Sequence, residues 1–347
     1  MRLRDRDFAQ VQHQSGLSPE WGLKYEDFEP YYSQAEALYQ VHGKLGDDPT
    51  EPAHSETYPF PEVAHESPIQ VISDTLSKQG LHPTYLPIGL GNEGRTDADD
   101  TGISPALNAP NVTLKTSAQV VCLHTNPSGS EVKAVEATIG QQSYLFQGHM
   151  IVLACGAVNS AALLLRSANE KHPHGIANRS DLVGRNLMKQ QLSVVVQLTT
   201  ETVSGSFQRT IGINDFYWGD ENFPYPMGHI QNSGGILQDV IFAEAPPVFS
   251  GLARIMPGFG LRQLATRSIG WWLQTEDLPN PNNRVVWTGN KLRVEYEPGN
   301  GEAHDRLVYR WFDVLKQVEA EQPAMFNRSG VHTRSDMPVQ VVAHQCG

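Results

Sequence analysis

The chain has 347 residues, 39% of them hydrophobic, with 30 glycines and 23 prolines; this suits a loop-rich globular protein of up to two domains and excludes a coiled coil or a disordered tail. A formal net charge of −12, with no basic patch interleaved with aromatics, excludes a nucleic-acid partner. No apolar run approaches the ~20 residues of a membrane-spanning helix, and the three widely spaced cysteines, Cys122, Cys155 and Cys346, exclude a disulfide framework.

Residues 1–65 read as irregular, with one helix. The Arg2–Arg4–Arg6 alternation is offset by Asp5 and Asp7 and reads as a solvated surface. From Tyr25 to Tyr39, Phe28, Tyr32, Ala35 and Leu38 fall at helical spacing. Glu26, Asp27 and Glu29 crowd the first turn, where negative charge suits the helix dipole. Pro49, Pro52, Pro59 and Pro61 mark a long loop. Ile69–Gln79 predicts a second helix, closed by Gly80. Gly89, Gly91 and Gly94 come nearest to a dinucleotide fingerprint, but polar and acidic residues follow them instead of an apolar helix. That segment reads as a loop.

Val112–Leu114, Val120–His124, Val132–Thr138 and Tyr144–Phe146 predict a β-meander, with Asn126-Pro127-Ser128-Gly129 as a turn signal. It feeds the apolar run Met150–Ala154, which has the pattern of a strand buried on both faces. Cys122 and Cys155 lie in these apolar stretches and read as buried, inert thiols. Gly156 ends the run, and Ala161–Arg166 are strong helix formers. Strand, small-residue turn and helix let a backbone approach a nucleotide closely, and they also make plain βα connections. From Leu192 the pattern changes to longer strands, Val194–Leu198, Trp271–Gln274, Arg284–Trp287 and Leu292–Tyr296, which predict an antiparallel sheet. Asp305–Gln322 predicts an amphipathic helix, with Leu307, Phe312, Leu315 and Val318 on or near one face.

Among the 13 histidines, His172 and His174 flank Pro173, and His42, His54 and His65 are scattered. None shows HExxH or CxxC spacing, so no metal ligand is assigned. No GxSxG elbow marks a serine hydrolase. Asn111, Asn178 and Asn327 open triplets of the N-glycosylation pattern, relevant only on a secretory route. On residue type and position alone, His344 is a terminal side chain, Val120 a core valine and Gly156 a turn glycine.

GAVNSAALLL (156–165) followed by GIANRSDLVGRNLM (175–188) resembles the flavin-linked glucose–methanol–choline (GMC) oxidoreductase family, whose members carry a GAxxSxxLLL segment and then a VGRNL-type segment. Further along-chain resemblances are Trp21 with Tyr25, Glu26, Asp27, Glu29, Pro30, Tyr31 and Tyr32; NVTLKTSAQV (111–120); the Asn282–Val285 turn; and His344–Gly347, which is similar to the start of the family's HxxGT motif. After the helix, Ser167 is followed by Ala168, Asn169 and Glu170 instead of the family's frequent Gly-Ile-Gly, a form closer to bacterial gluconate-dehydrogenase-like members.

The resemblance implies a mixed α/β (α+β) fold: a partial FAD-binding domain plus an antiparallel-sheet substrate domain with flanking helices. Residues 1–107 would link the two, 108–190 would belong to the FAD domain, 191–335 to the substrate domain, and 336–347 would begin the return to the FAD domain. It implies FAD as cofactor, with hydride transfer from a CH–OH group and His344 as the base. Val120 would lie against the adenine, and Gly156 near the nucleotide. The substrate would be a small alcohol, sugar or sugar acid, with a separate electron acceptor that the motifs do not encode. The family's N-terminal GxGxxG unit, its C-terminal strand and helix, and a cysteine-rich loop have no match here. The chain is therefore expected to be an internal piece of a larger flavoenzyme, with its compartment, cytoplasmic or periplasmic, left open. The alternative is a non-catalytic fragment or binding domain that cannot hold FAD alone.

Overall fold

The computed structural model describes residues 1–91, 94–203, 209–234, 266–334 and 344–347. In chain order its first elements are β1 (Val11–Gln12), β2 (Leu17–Ser18), α1 (Tyr25–Leu38), β3 (Val41–His42), α2 (Ser67–Lys78), β4 (Pro83–Tyr85), β5 (Ile88–Gly91) and β6 (Gly94–Arg95). Then come α3 (Ser104–Leu107), β7 (Ala118–Thr125), β8 (Val132–Ile139), β9 (Gln142–Phe146) and α4 (Gly156–Arg166). The rest are β10 (Gln191–Thr199), β11 (Ile211–Ile213), β12 (His229–Gly234), β13 (Ser268–Thr275), β14 (Arg284–Thr288), β15 (Lys291–Glu295), α5 (Gly301–Glu321) and β16 (Phe326–Arg334). The fold is mixed α/β with antiparallel sheets, and the chain divides into two compact units.

The first unit comprises Met1–Ile103, Gln191–Glu276 and Asn300–Asp336. Its six-stranded sheet has the order β16-β10-β13-β12-β11-β4, and every pair is antiparallel. Ile69, Ile72 and Leu76 recur at helical spacing on α2, and Leu307, Trp311, Val314, Leu315 and Val318 do so on α5. These stripes form one core with Val195, Ile211, Ile213, Ile230, Ile269, Trp271 and Leu273 of the sheet. Trp271 meets Trp311 edge to face at 4.8 Å and 66°. Burial of each such side chain contributes roughly 1.5–3 kcal/mol, so tertiary packing and not helix propensity fixes α5. The predicted helix over Asp305–Gln322 is therefore present and begins earlier, at Gly301.

One polar trio within this core is paired side chain to side chain. Ser193 Oγ lies 2.7 Å from His304 Nε2, and His304 Nδ1 lies 2.9 Å from Thr275 Oγ1. Thr275 uses its single hydroxyl hydrogen on the Met227 carbonyl at 2.7 Å, so it accepts from Nδ1. The imidazole thereby carries a proton on Nδ1.

Of the three N-terminal arginines expected on a solvated surface, Arg6 is exposed but Arg2 and Arg4 are not. Arg2 and Arg4 are only 4% and 5% exposed. Arg2 reaches Glu29 at 3.0 Å, Glu36 at 2.8 Å and the Tyr25 hydroxyl at 2.8 Å, while Arg4 pairs with Asp48 at 2.8 Å. The compensating carboxylates come from α1 and the following loop, not from Asp5 and Asp7. This also explains α1: Leu38 is exposed and only Tyr25 is fully buried, so a guanidinium, not an apolar stripe, anchors one helix face. Gly89, Gly91 and Gly94 likewise do not lie in a loop, because β5 and β6 pair antiparallel with β3 alongside. No helix opens at Gly94, as a dinucleotide fingerprint would require.

The second unit comprises Ser104–Gln190, Asp277–Gly299 and Met337–Gly347. The predicted meander is present as β7-β8-β9, with its turn closed by Gly129 N–H on the Asn126 carbonyl at 2.9 Å. Helix α4 carries two packing faces. Leu163 joins Leu123 and Ile176 on the meander side, whereas Ala162 joins Leu187 and Val285 on the side of the β14–β15 hairpin. The strands predicted near 284–296 exist, but they form this separate two-stranded hairpin and not part of the six-stranded sheet.

Two expected strands are absent from this unit. Val112 and Leu114 lie in exposed coil, and β7 starts at Ala118. The run Met150–Ala154 is also coil, with Met150 84% and Val152 76% exposed. A strand buried on both faces needs neighbours in a ladder, and no ladder among the described residues includes this run. Cys155, next to it, is exposed and Cys122 half-buried, so neither is the buried thiol expected.

Candidate functional site

Three motif segments singled out in the sequence meet as adjacent backbone in the second unit. Gly184–Met188, from the VGRNLM motif, lies between the Asn283–Val285 turn and the His344–Gly347 segment. On one side, Val285 N–H donates to the Gly184 carbonyl at 2.7 Å and Leu187 N–H to the Asn283 carbonyl at 3.0 Å. On the other, Met188 and Cys346 exchange backbone hydrogen bonds of 2.8 and 3.0 Å.

The residue types in these segments follow from this arrangement. Gly184 has φ +82°, and a Cβ there would stand 2.8 Å from the Val285 carbonyl oxygen. Asn283 is buried, and its amide mimics a strand partner: Nδ2 donates to the Glu297 carbonyl at 2.8 Å and Oδ1 accepts from Glu297 N–H at 2.9 Å. Arg185 braces the loop before it through the Asp181 carbonyl at 2.7 Å, the Asp181 carboxylate at 2.6 Å and the Pro281 carbonyl at 2.9 Å. Its guanidinium holds the Asp181 carboxyl below the usual carboxylate range. Arg284 does the same to Glu295 across the hairpin at 2.9 Å. Asn178, inside the same loop, accepts from Val183 N–H at 2.9 Å and donates to the His174 carbonyl at 2.8 Å.

Sequence reading missed Asp277. This buried carboxylate accepts from Leu278 N–H at 3.0 Å, Gly299 N–H at 2.8 Å and the Tyr296 hydroxyl at 2.6 Å. The buried Lys189 ammonium lies 5.2 Å from the centre of the Tyr296 ring. Nothing in the local pattern around Asp277 signals this role, because two of its three partners, Tyr296 and Gly299, come from distant positions.

His344 is exposed, with φ +68°. A left-handed backbone is uncommon for a residue with a side chain, and such outliers gather where surrounding structure imposes them. Here the Met188–Cys346 pair imposes the path next to it. An exposed imidazole on a fixed backbone is suited to accept a proton from a bound molecule.

Val120 and Gly156 lie elsewhere in the same unit. Val120, on β7, is half-buried against the Leu123–Leu163 cluster, and its carbonyl accepts from the Arg166 guanidinium. Gly156 opens α4 with φ +75°, and a Cβ placed on it would meet nothing within 4 Å. No side chain caps the first turn of α4. The structure thus brings His344 together with the VGRNLM and NRV segments, while Val120 and Gly156 belong to the meander and helix.

A family model described as GMC oxidoreductase matches residues 15–192. The chain is 25% identical over 317 residues to the fructose dehydrogenase large subunit of Gluconobacter japonicus, covering 85% of this chain and 57% of that protein. It is 26% identical over 247 residues to the 2-methyl-1,2-propanediol dehydrogenase of Mycolicibacterium austroafricanum, covering 64% and 44%. It is 28% identical over 238 residues to the 6'''-hydroxyparomomycin C oxidase of Streptomyces lividus, covering 60% and 43%. The chain spans about half the length of the curated relatives it matches.

Proposed function

Because the chain belongs to the GMC oxidoreductase family, we propose that it serves an FAD-dependent oxidoreductase acting on CH–OH groups of alcohols, sugars or sugar acids. The observation that carries the reading is the convergence of VGRNLM, NRV and HQCG into one backbone ladder beside His344. The relatives are named for fructose, 2-methyl-1,2-propanediol and 6'''-hydroxyparomomycin C, and hydroxyl groups are common to all three names.

In this reading an imidazole nitrogen of His344 takes the hydroxyl proton while the adjacent carbon loses hydride, leaving a carbonyl. FAD, when bound, supplies the hydride acceptor. The Met188–Cys346 pair keeps the histidine backbone in place, so little ordering is left for the moment of reaction. Gly156 and the first turn of α4 would receive the nucleotide. The open space over Gly156 and the uncapped amides behind it suit an anionic group at a helix N-terminus. Val120 would offer backbone to the adenine.

A second reading has its own observation. In the apolar run Met150–Ala154, Met150, Val152 and Ala154 are exposed, and no ladder among the described residues includes it, which supports a chain that carries only part of the cofactor site and cannot hold FAD alone. The protein should therefore be incubated with FAD, desalted and assayed for flavin absorbance, then mixed anaerobically with fructose and with simple diols. Retained flavin that bleaches with substrate supports the enzyme. A folded protein that retains no flavin supports the fragment reading.

A further inference from the structure

Cys122, His124 and Glu136 form a cluster that the proposed oxidation does not use. Their ligand atoms, Sγ, an imidazole nitrogen and a carboxylate oxygen, all lie within 4.8 Å of one another. It is the one such group of three among the described residues. The cluster follows from strand geometry. Cys122 and His124 are two residues apart on β7, so both project from the same face. Glu136 on β8 stands directly opposite Cys122 in the ladder, and a register shift between Val120 and Cys122 sets this pairing. Leu123, between the two β7 ligands, points the other way into the core with Leu163.

The three donors also have outer support. His124 Nε2 and Glu136 Oε2 are 2.8 Å apart, and the Ser143 hydroxyl of β9 donates to Glu136 Oε1 at 2.7 Å. Ser143 leaves Oε2 facing His124 and Cys122, as an outer partner orients a ligating carboxylate. The Cys122 thiol has only a long contact, 3.6 Å, to its neighbour's carbonyl.

We propose that this face of the meander binds a single divalent transition-metal ion of the zinc class through Cys122, His124 and Glu136, with water as fourth ligand. A thiolate, an imidazole and a carboxylate from rigid paired strands make the mixed S/N/O donor set that such ions take in tetrahedral sites. On binding, the Cys122 thiol gives its proton to solvent and its sulfur lone pair to the metal, and the direct His124–Glu136 contact opens to admit the ion. No step of the proposed CH–OH oxidation is assigned to this site.

The test is titration of the whole 347-residue protein with Co²⁺ alone, reading the sulfur-to-cobalt charge-transfer band, with Zn²⁺ competition followed by calorimetry. The expected result is saturation at one equivalent with a charge-transfer band that Zn²⁺ displaces. Cys122→Ser should lose the band, and a Cys155→Ser/Cys346→Ser double variant should keep it. Ser143→Ala should weaken binding by roughly tenfold or more, the usual cost of removing an outer-shell partner. His124→Ala, on an exposed side chain, provides a variant whose circular dichroism should match wild type while binding is lost. A wild-type protein without the band, or a band that survives Cys122→Ser, overturns the proposal.

Discussion

Met188 and Cys346 exchange both of their backbone hydrogen bonds, at 2.8 and 3.0 Å, although 157 intervening residues separate them in the chain. This pair links two conspicuous motif segments and fixes the backbone beside His344. It makes the loop around Gly184 a positioning element for the proposed base.

Gly184→Ala should therefore loosen the ladder. The new Cβ would crowd the Val285 carbonyl on a left-handed backbone, at a cost of about 1–3 kcal/mol. Urea unfolding should register the loss, and hydrogen exchange should accelerate at the Met188 and Cys346 amides. Unchanged protection at both amides would separate Gly184 from the ladder.

Asn283→Ala should cost about 2–3 kcal/mol, because it removes two hydrogen bonds and leaves the Glu297 backbone groups without their partner. Asn283→Asp keeps the acceptor and loses the donor, so its midpoint should fall between those of wild type and the alanine variant.

Strands β7–β10 and β13–β15, with α2, α4 and α5, were legible because periodicity and turn residues are local signals, whereas the short pair β5–β6 read as a loop. Arg2 was not, since its partners Glu29 and Glu36 become neighbours only when α1 folds back onto the N-terminus. The Met150–Ala154 run misled for the opposite reason: an apolar pattern states what a segment would bury, not whether a ladder exists to receive it. His344, the proposed base, is marked in the sequence only by its motif. The Cys122–His124 spacing was a usable sign of one strand face, but the opposing Glu136 needed the register.

Arg2→Met should destabilise the first unit by about 3–5 kcal/mol, because Glu29 and Glu36 would lose a buried cationic partner. The same substitution with Glu29→Gln and Glu36→Gln should recover part of the loss. If Arg2→Met alone leaves the urea midpoint unmoved, the arginine is solvated as its sequence context suggested.

Val152→Lys should leave the unfolding midpoint within about 0.5 kcal/mol, the usual range for a surface change, and should reduce light scattering at high concentration. A loss of several kcal/mol would show that the run is buried after all.

Acid should weaken the fold before carboxylates titrate. Burial pushes His229 down to about 3 and His65 down to about 4, both from 6.5. Below pH 6.5 the unfolded chain takes up protons that the folded state refuses. Stability is thus fully present above that pH and falls as pH drops towards 4 and then 3, with a slope approaching about 1.4 kcal/mol per pH unit from His229. Urea titrations at stepped pH should show this slope, and His229→Gln should flatten it even if its midpoint is lower throughout. A profile that is flat from pH 6.5 to 4 would contradict the buried neutral histidines.

The most direct test is anaerobic flavin reduction, comparing the wild-type protein with His344→Ala after both have been loaded with FAD and desalted. Wild type should bleach with a CH–OH substrate, whereas His344→Ala should retain flavin but bleach about a hundredfold or more slowly, the usual contribution of a positioned base. Equal bleaching rates in the two proteins would contradict His344 as the base.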